Sequence, residues 1–561
     1  MRSIAFSLLL ISTSLAALAA APADVVFLGD NILTMEETST NRPTAVAIDA
    51  DHISWVGDRK DAAQWIDKDT KVIELGEQAL LPGFIDAHGH FLFTAATVDF
   101  ANVSSPPVGP ATDIAALKKV LADHITGKQL KSGEWVIGYG YDDSLLAEKQ
   151  HPTRDDLDAV STDHPIILSH VSGHLMAANS RALAAANITS QSPDPEGGVI
   201  RRRVGSTEPD GVLEETATYA LRKQAAPKWS ADVIRRALLA YAAFGVTTIQ
   251  DAASDAQSIA LLRQFAEAFV LTQDILVYPV LRPADLDGEL PYAFRRTDKG
   301  LRIAGVKLVL DGSPQGKTAY LSQPYHRPPA GKPADYRGYP IQEQASVDQL
   351  VDYALSRKIQ LIAHANGDAA GDMLLDAVGK SLGKMSVMPD HRTVMIHAQT
   401  VRTDQLDRMR ELQVMPSFFS AHTFYWGDWH RDSVLGSRAQ RISPTRSTLD
   451  RGIPFTLHND SPVVPSNMIR LLWATTNRQT RSGKILGADE RVSTEVALAA
   501  MTRTAAWQNF EEDRKGTLTA GKLADLVILS ADPLKLDTEQ LMDLQVMATY
   551  SRGVRLFAAG Q

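Results

Sequence analysis

The sequence predicts an α/β protein built on a (β/α)8 TIM-like barrel, and three observations carry that prediction. Eight short apolar runs alternate with helix-patterned stretches through the middle of the chain, several of those runs end in His or Asp, and β-rich segments flank the middle on both sides.

The 561 residues, 44% of them hydrophobic, can bury a large core and exceed what one ordinary domain uses, so at least two structural units are expected. A net charge of -9, with no basic stripe to track phosphates, argues against nucleic acid as a partner. The chain has no cysteine. That excludes disulfides, Fe–S clusters and thiolate zinc, and leaves His, carboxylate or modified Lys to hold any metal. At the N-terminus one Arg precedes an apolar run that ends in small residues, with Ala17-Leu18-Ala19 and Ala19-Ala20-Ala21 both fitting a cleavage site. Residues 1–21 therefore read as a secretory signal. The run is too short and too rich in small residues for a membrane anchor, so no membrane attachment is expected once it is removed. The expected address is outside the cytoplasm: periplasmic in a two-membrane bacterium, secreted otherwise.

Taken in order, residues 24–30 and 44–48 alternate or run apolar between turn residues and read as strands; residues 516–529 and 549–558 repeat that texture at the far end. Residues 22–80 and 501–561 are thus expected to build a small β-sandwich from both ends of the chain. Between them, residues 81–500 carry the predicted barrel strands at 80–86, 246–250, 275–281, 303–310, 359–363, 393–396, 413–417 and 454–457, with helices at 231–244, 346–357, 370–382 and 402–411. About 160 residues separate the first and second strands, far more than a βα connection uses. Residues from about 95 to 240 are therefore expected to form an inserted, partly helical lid or subdomain.

The chemistry sits at the strand ends, where a barrel places its active site. Residues 82–90 read PGFIDAHGH, and extended-strand alternation turns His88 and His90 to one space with Gly89 between them. His364 and His397 each end an apolar run, and Asp460 follows another. Imidazoles with one carboxylate suit Zn²⁺ or a similar divalent ion and leave a position for water.

These segments, with GTLTAGKLADLVIL at residues 516–529, together resemble the amidohydrolase superfamily. Residues 135–142, 174–183 and 306–313 resemble more narrowly its YtcJ-like, amidohydrolase-3 branch. The resemblance runs from about residue 23 to the C-terminus. It implies a TIM-like barrel with a composite sandwich, one or two divalent ions, and hydrolysis of an amide-type C–N bond in a small molecule. It also implies His88, His90, Lys307, His364, His397 and Asp460 as metal-binding residues, with Asp460 the acid-base residue. A free ammonium beside two cations would be repelled, whereas a buried neutral amine can take up CO2 and become a bridging carbamate; the other reading of Lys307 is an ordinary lysine paired with Asp311. His174 would donate to a developing oxyanion or lie on the surface of the insert. His422 and Trp426, in an aromatic-rich loop after the seventh strand, would line the substrate pocket or pack on the insert, and Tyr141 and Asp142 are further candidates. Asn366, Ile396 and the His458-Asn459 pair depart from the branch's common pattern, which leaves substrate specificity open. Lactone or ester hydrolysis, isomerisation, and a non-catalytic binding protein on the same fold remain as alternatives, and a homodimer is an open possibility.

Overall fold

A computed structural model describes residues 22–37, 42–173, 175–195, 198–224, 227–329 and 331–560. The expected leader at 1–21 and the candidate His174 lie outside the described residues. No helix among the described residues is long and apolar enough to cross a membrane.

Each of the eight runs expected to form the barrel overlaps a strand of one of two central sheets, and within those sheets these strands pair in parallel. Phe84–Ile85, Val246–Ser254, Asp274–Pro279 and Leu301–Ile303 make one sheet, with a short antiparallel edge at Thr297–Asp298. Val306–Val309, Leu361–Ala365, Val394–His397, Met415–Phe418 and Thr456–Leu457 make the other. The fourth run, expected as one strand over 303–310, is broken at Ala304-Gly305, so one half serves each sheet. At that seam Val280 and Lys307 form a parallel bridge. At the other seam single hydrogen bonds span the gap: Asp460 N donates to His88 O (3.2 Å) and His90 N to Ser461 O (2.8 Å). The helices Ala231–Ala242, Gln344–Ser356, Asp368–Leu382 and Thr403–Leu412 fall within two residues of expectation, because their apolar spacing marks the buried face. Those faces and the strands share one extended core.

The expected first strand at 80–86 serves two sheets. Ala79–Pro82 pairs antiparallel with Leu526–Leu529 in a sheet completed by Val546–Ser551 and Val554–Ala558, and only Phe84–Ile85 joins the parallel strands. Gly83 makes the transfer, since a Cβ there would meet the Thr247 side chain at 2.4 Å. A second four-stranded sheet, of order His52–Gly57, Ala45–Asp49, Val25–Leu28 and Lys71–Glu74, lies across the first. Phe27, Val46, Ile48, Leu80, Leu526, Ile528 and Tyr550 form the core between them.

The insert differs from its expectation. Its backbone is a six-stranded mixed sheet of order Gly198–Arg202, Pro209–Glu215, Leu175–Ala178, Ile166–His170, Val136–Tyr141 and Ala101–Asn102, with the helix Ile114–Gly127 among the elements packed on it. Chain length alone suggested a partly helical lid. The strand signal lay in the apolar runs at 136–141 and 166–170, the first of which the glycines at 138 and 140 interrupt.

Candidate metal centre

The polar residues that end the parallel strands meet in one buried cluster. His88 and His90 follow the first strand, and their rings are 5.3 Å apart. Lys307 lies in the fourth run, His364 and His397 in the fifth and sixth strands, and Asp460 three residues beyond the eighth. His90 Nε2 and His88 Nε2 stand 3.3 and 3.6 Å from Asp460 Oδ1, and His397 Nε2 stands 3.9 Å from Oδ2. Lys307 Nζ is 3.0 Å from His88 Nε2, and His364 Nδ1 is 3.1 Å from His397 Nε2. All six expected metal residues are thus linked by short contacts. His397 and Asp460 hold left-handed backbone, with φ of 72° and 57°, uncommon outside glycine. Gly89 is not needed for space, since a Cβ there would come no closer than 3.5 Å to Ser461 N.

The remote ring nitrogens are committed elsewhere. His90 Nδ1 is 2.7 Å from Ala252 O, His88 Nδ1 is 3.4 Å from Gln250 Oε1, and His364 Nε2 is 3.1 Å from Gly312 O. Each therefore turns its other nitrogen inward, as metal-bound histidines do. The Asp460 oxygen facing His88 and His90 is buried without a hydrogen-bond partner. An orphaned anionic oxygen among inward-facing imidazole lone pairs fits a divalent cation. His88, His90 and Asp460 alone bring three ligand atoms within 4.8 Å of one another.

The electrostatics agree. Burial among like neighbours holds His88 and His397 well below the usual imidazole range, keeping them neutral. Burial would raise Asp460, but His90 beside it more than offsets that and holds the carboxyl down to about 2. Burial brings Lys307 down to about 7. Lys307 is not paired with Asp311, whose carboxylate accepts from the backbone N–H groups of Tyr320, Asn366 and Gly367.

The candidate substrate residues are dispersed. The expected aromatic loop is a helix, His422–Trp429, continued by one π-helical turn at His430–Val434, so His422, Trp426 and His430 share a face at i, i+4, i+8. His422 Nδ1 is 3.0 Å from His430 Nε2, and its ring lies 4.6 Å from that of Trp426. Trp426 Nε1 donates to Asp142 Oδ2 (3.0 Å), tying this helix to the insert. Asp142 is spent on that bond and on accepting from Ser144 N (2.9 Å). Tyr141 stands away from the cluster: its hydroxyl is 3.2 Å from His151 Nδ1 and its ring lies in the insert's core. Tyr139 instead reaches the mouth of the centre, donating to Pro462 O at 2.6 Å. Sequence reasoning also passed over His458, which lies 3.1 Å from His397 Nδ1; its place two residues before Asp460 was the available signal. Asp142, Asp143 and His170 form a second compact group on the insert.

A family model described as "Amidohydrolase family" matches residues 71–557. The chain belongs to the amidohydrolase family. This amidohydrolase is 26% identical over 560 residues to the N-substituted formamide deformylase of Arthrobacter pascens, covering 95% of this chain and 98% of that one. It is 24% identical over 508 residues to the putative amidohydrolase YtcJ of Bacillus subtilis (strain 168), covering 86% and 90%. An uncharacterized metal-dependent hydrolase from Pyrococcus horikoshii OT3 has a similar structure, with a TM-score of 0.72 at 23% identity, covering 92% of this chain and 99% of that one. The protein is a hydrolase acting on carbon–nitrogen bonds.

Proposed function

We propose that this protein hydrolyses the C–N bond of a small N-substituted amide, such as an N-substituted formamide, with a water activated at the His/Asp centre. The observation that carries the reading is the buried, unpartnered Asp460 oxygen faced by His88 and His90. The two parallel sheets are then the halves of one (β/α)8 barrel, with the centre at its C-terminal mouth. His88, His90, Lys307, His364, His397 and Asp460 would hold one or two divalent ions, with zinc the best match to the donors. When bound, such an ion supplies Lewis acidity that polarises a carbonyl and brings a water toward ionisation at neutral pH.

The chain's own residues supply the rest. Asp460, ionised at neutral pH, takes the proton of the attacking water and returns it to the departing nitrogen, so that amine and acid leave. Lys307, with a neutral amine accessible near pH 7, would take up CO2 as a carbamate, its nitrogen bonding the carbon as one proton leaves, and would then offer the centre an anionic oxygen donor. His422 and Trp426, on the helix that Trp426 ties to the insert, would position the substrate. The N-substituted formamide class is taken from the Arthrobacter pascens relative.

Elemental analysis of wild type beside His88→Ala and Asp460→Asn, with a screen of N-substituted formamides and acetamides for amine release, tests this. The expected result is divalent metal in the wild type, reduced metal in His88→Ala, and a loss of roughly 10²–10⁴ in turnover in Asp460→Asn. Wild-type protein that stays metal-free and inert after incubation with zinc, manganese and bicarbonate would overturn it.

A further inference from the structure

A cleft opens where the insert meets the barrel strands' surroundings, beside the candidate metal centre. Its walls come from the helix Phe91–Thr97 that follows His90, from insert residues 100–108 with Tyr139, from the end of helix Ala231–Ala242, and from the segment 461–466 that follows Asp460. Its volume is about 210 Å³. Phe100, Val108, Ala240, Phe244, Pro462 and Pro465 give it apolar surface, and no charged side chain lines it.

The polar side chains in the wall are nearly all committed within the protein. Tyr139 donates to Pro462 O (2.6 Å), Thr97 Oγ1 to Thr94 O (2.8 Å), and Asn102 Nδ2 to Val108 O (2.9 Å). The hydroxyls of Tyr241 and Thr94 pair at 3.1 Å, those of Ser461 and Ser466 lie 2.6 Å apart, and Ser466 Oγ is 3.0 Å from Asp86 Oδ2. Ser104 Oγ is the exception among the described residues of the wall. Water in such a cleft finds few open partners, so an apolar group that displaces it binds favourably. An ion would lose its hydration there and meet no counter-charge. The size suits a hydrocarbon ring or a short chain of similar bulk, since an apolar cavity of roughly 150 Å³ takes up benzene.

The cleft adjoins the candidate centre along three of its walls. Ser461 and Pro462 directly follow Asp460 in the chain. Thr94 stands one turn from His90 and donates to His90 O (3.1 Å). Burial, and then the nearby Asp460 carboxylate, push the Tyr139 hydroxyl well above the usual phenol range.

Resting on the hydrolase reading above, we propose that this cleft holds the apolar substituent of the substrate while its amide lies at the centre. The substrate class narrows to amides whose nitrogen carries an uncharged apolar group of about six carbons. A substituent ending in a carboxylate or an ammonium is rejected, because nothing in the wall would pair with it.

The test compares kcat/KM for N-methyl-, N-butyl-, N-hexyl- and N-decylformamide, and for a hexyl chain ending in a carboxylate, on the metal-loaded wild type, Ala240→Trp and Val108→Ala. Ala240 is exposed at the rim of the cleft, so a tryptophan there fills the opening without entering the core. Specificity is expected to rise roughly two- to fourfold per methylene as far as hexyl and to fall at decyl. The charged chain is expected to lose roughly tenfold or more against hexyl. Ala240→Trp is expected to lower the hexyl-to-methyl ratio roughly tenfold, and Val108→Ala to move the optimum to a longer chain. Apart from turnover, saturation-transfer NMR is expected to show saturable binding of cyclohexanol to wild type that Ala240→Trp weakens. Hydrolysis with a flat size series, a hexyl-to-methyl ratio unmoved by Ala240→Trp, or cyclohexanol that does not bind would overturn the cleft as the subsite and leave the hydrolase reading standing. A metal-loaded wild type that hydrolyses none of these amides would overturn both. If Val108→Ala does not fold, the wild-type series and the rim variant decide alone.

Discussion

One residue can divide two neighbours that alternation would place together. Tyr139 and Tyr141 are two apart on one strand, yet the first reaches Pro462 beside the candidate metal centre and the second is buried in the insert. The register against the neighbouring strand shifts between them, and Gly140 takes a φ of +94°, so a bulge undoes the period of two. Tyr141 was the sequence candidate, and the bulge, which alternation does not reveal, turns Tyr139 to the site in its place. The His/Asp cluster itself was legible, because His and Asp at the ends of apolar runs of parallel strands converge whatever the loops between them do. On the insert, burial would raise Asp143, but the bond to His170 and the nearby His151 hold it down to about 2. A depressed carboxyl stabilises the fold above its unfolded pKa near 4 and loses that contribution as pH falls toward 2. Asp143→Asn should therefore be less stable than wild type at pH 7 by about 1–2 kcal/mol, with the gap narrowing between pH 4 and 3 when thermal unfolding is followed at each pH.

Among elements, helix His422–Trp429 was the hardest to see. Its aromatic residues and Gly427 have modest helix propensity, and the buried surroundings rather than the local sequence hold it. The long outer helices, with regular apolar spacing, fell within two residues of expectation. Because Trp426 donates to Asp142, Trp426→Phe leaves a buried carboxylate oxygen short of a donor and should cost about 1–3 kcal/mol. Loss of this tie should also speed proteolysis within the insert and raise KM more than it lowers kcat, which limited digestion and steady-state kinetics would show. Gly83→Ala should be worse, because its Cβ would overlap Thr247 at the point where one run changes sheets. The expected outcome is low soluble yield, recovered in part by Thr247→Ser, which removes one of the clashing atoms.

Over the whole molecule, the C-terminal segment is locked to the parallel strands by a buried ionic network. Arg302 meets Glu511 at 2.9 Å, Lys515 lies 3.4 Å from Glu511 and also pairs with Asp274, and Arg552 pairs with Asp274. Removing one member strands the others, so Glu511→Ala should destabilise by about 3–5 kcal/mol in denaturant melts, while Glu511→Gln, which keeps a hydrogen-bonding amide, should lose less. The sandwich at the ends of the chain was legible as texture, but its pairing was not, since nothing local says that Ala79–Pro82 will sit beside Leu526–Leu529.

That pairing sets an order of events during synthesis. Ala79–Pro82 leaves the ribosome long before its partner strand, so Leu80 and Leu81, fully buried in the finished protein, wait for that strand while the segment between them is made. Until the partner arrives, that unpaired edge is open to pairing with other chains. The pairing is therefore a late event, formed only once two segments far apart in sequence have both been made.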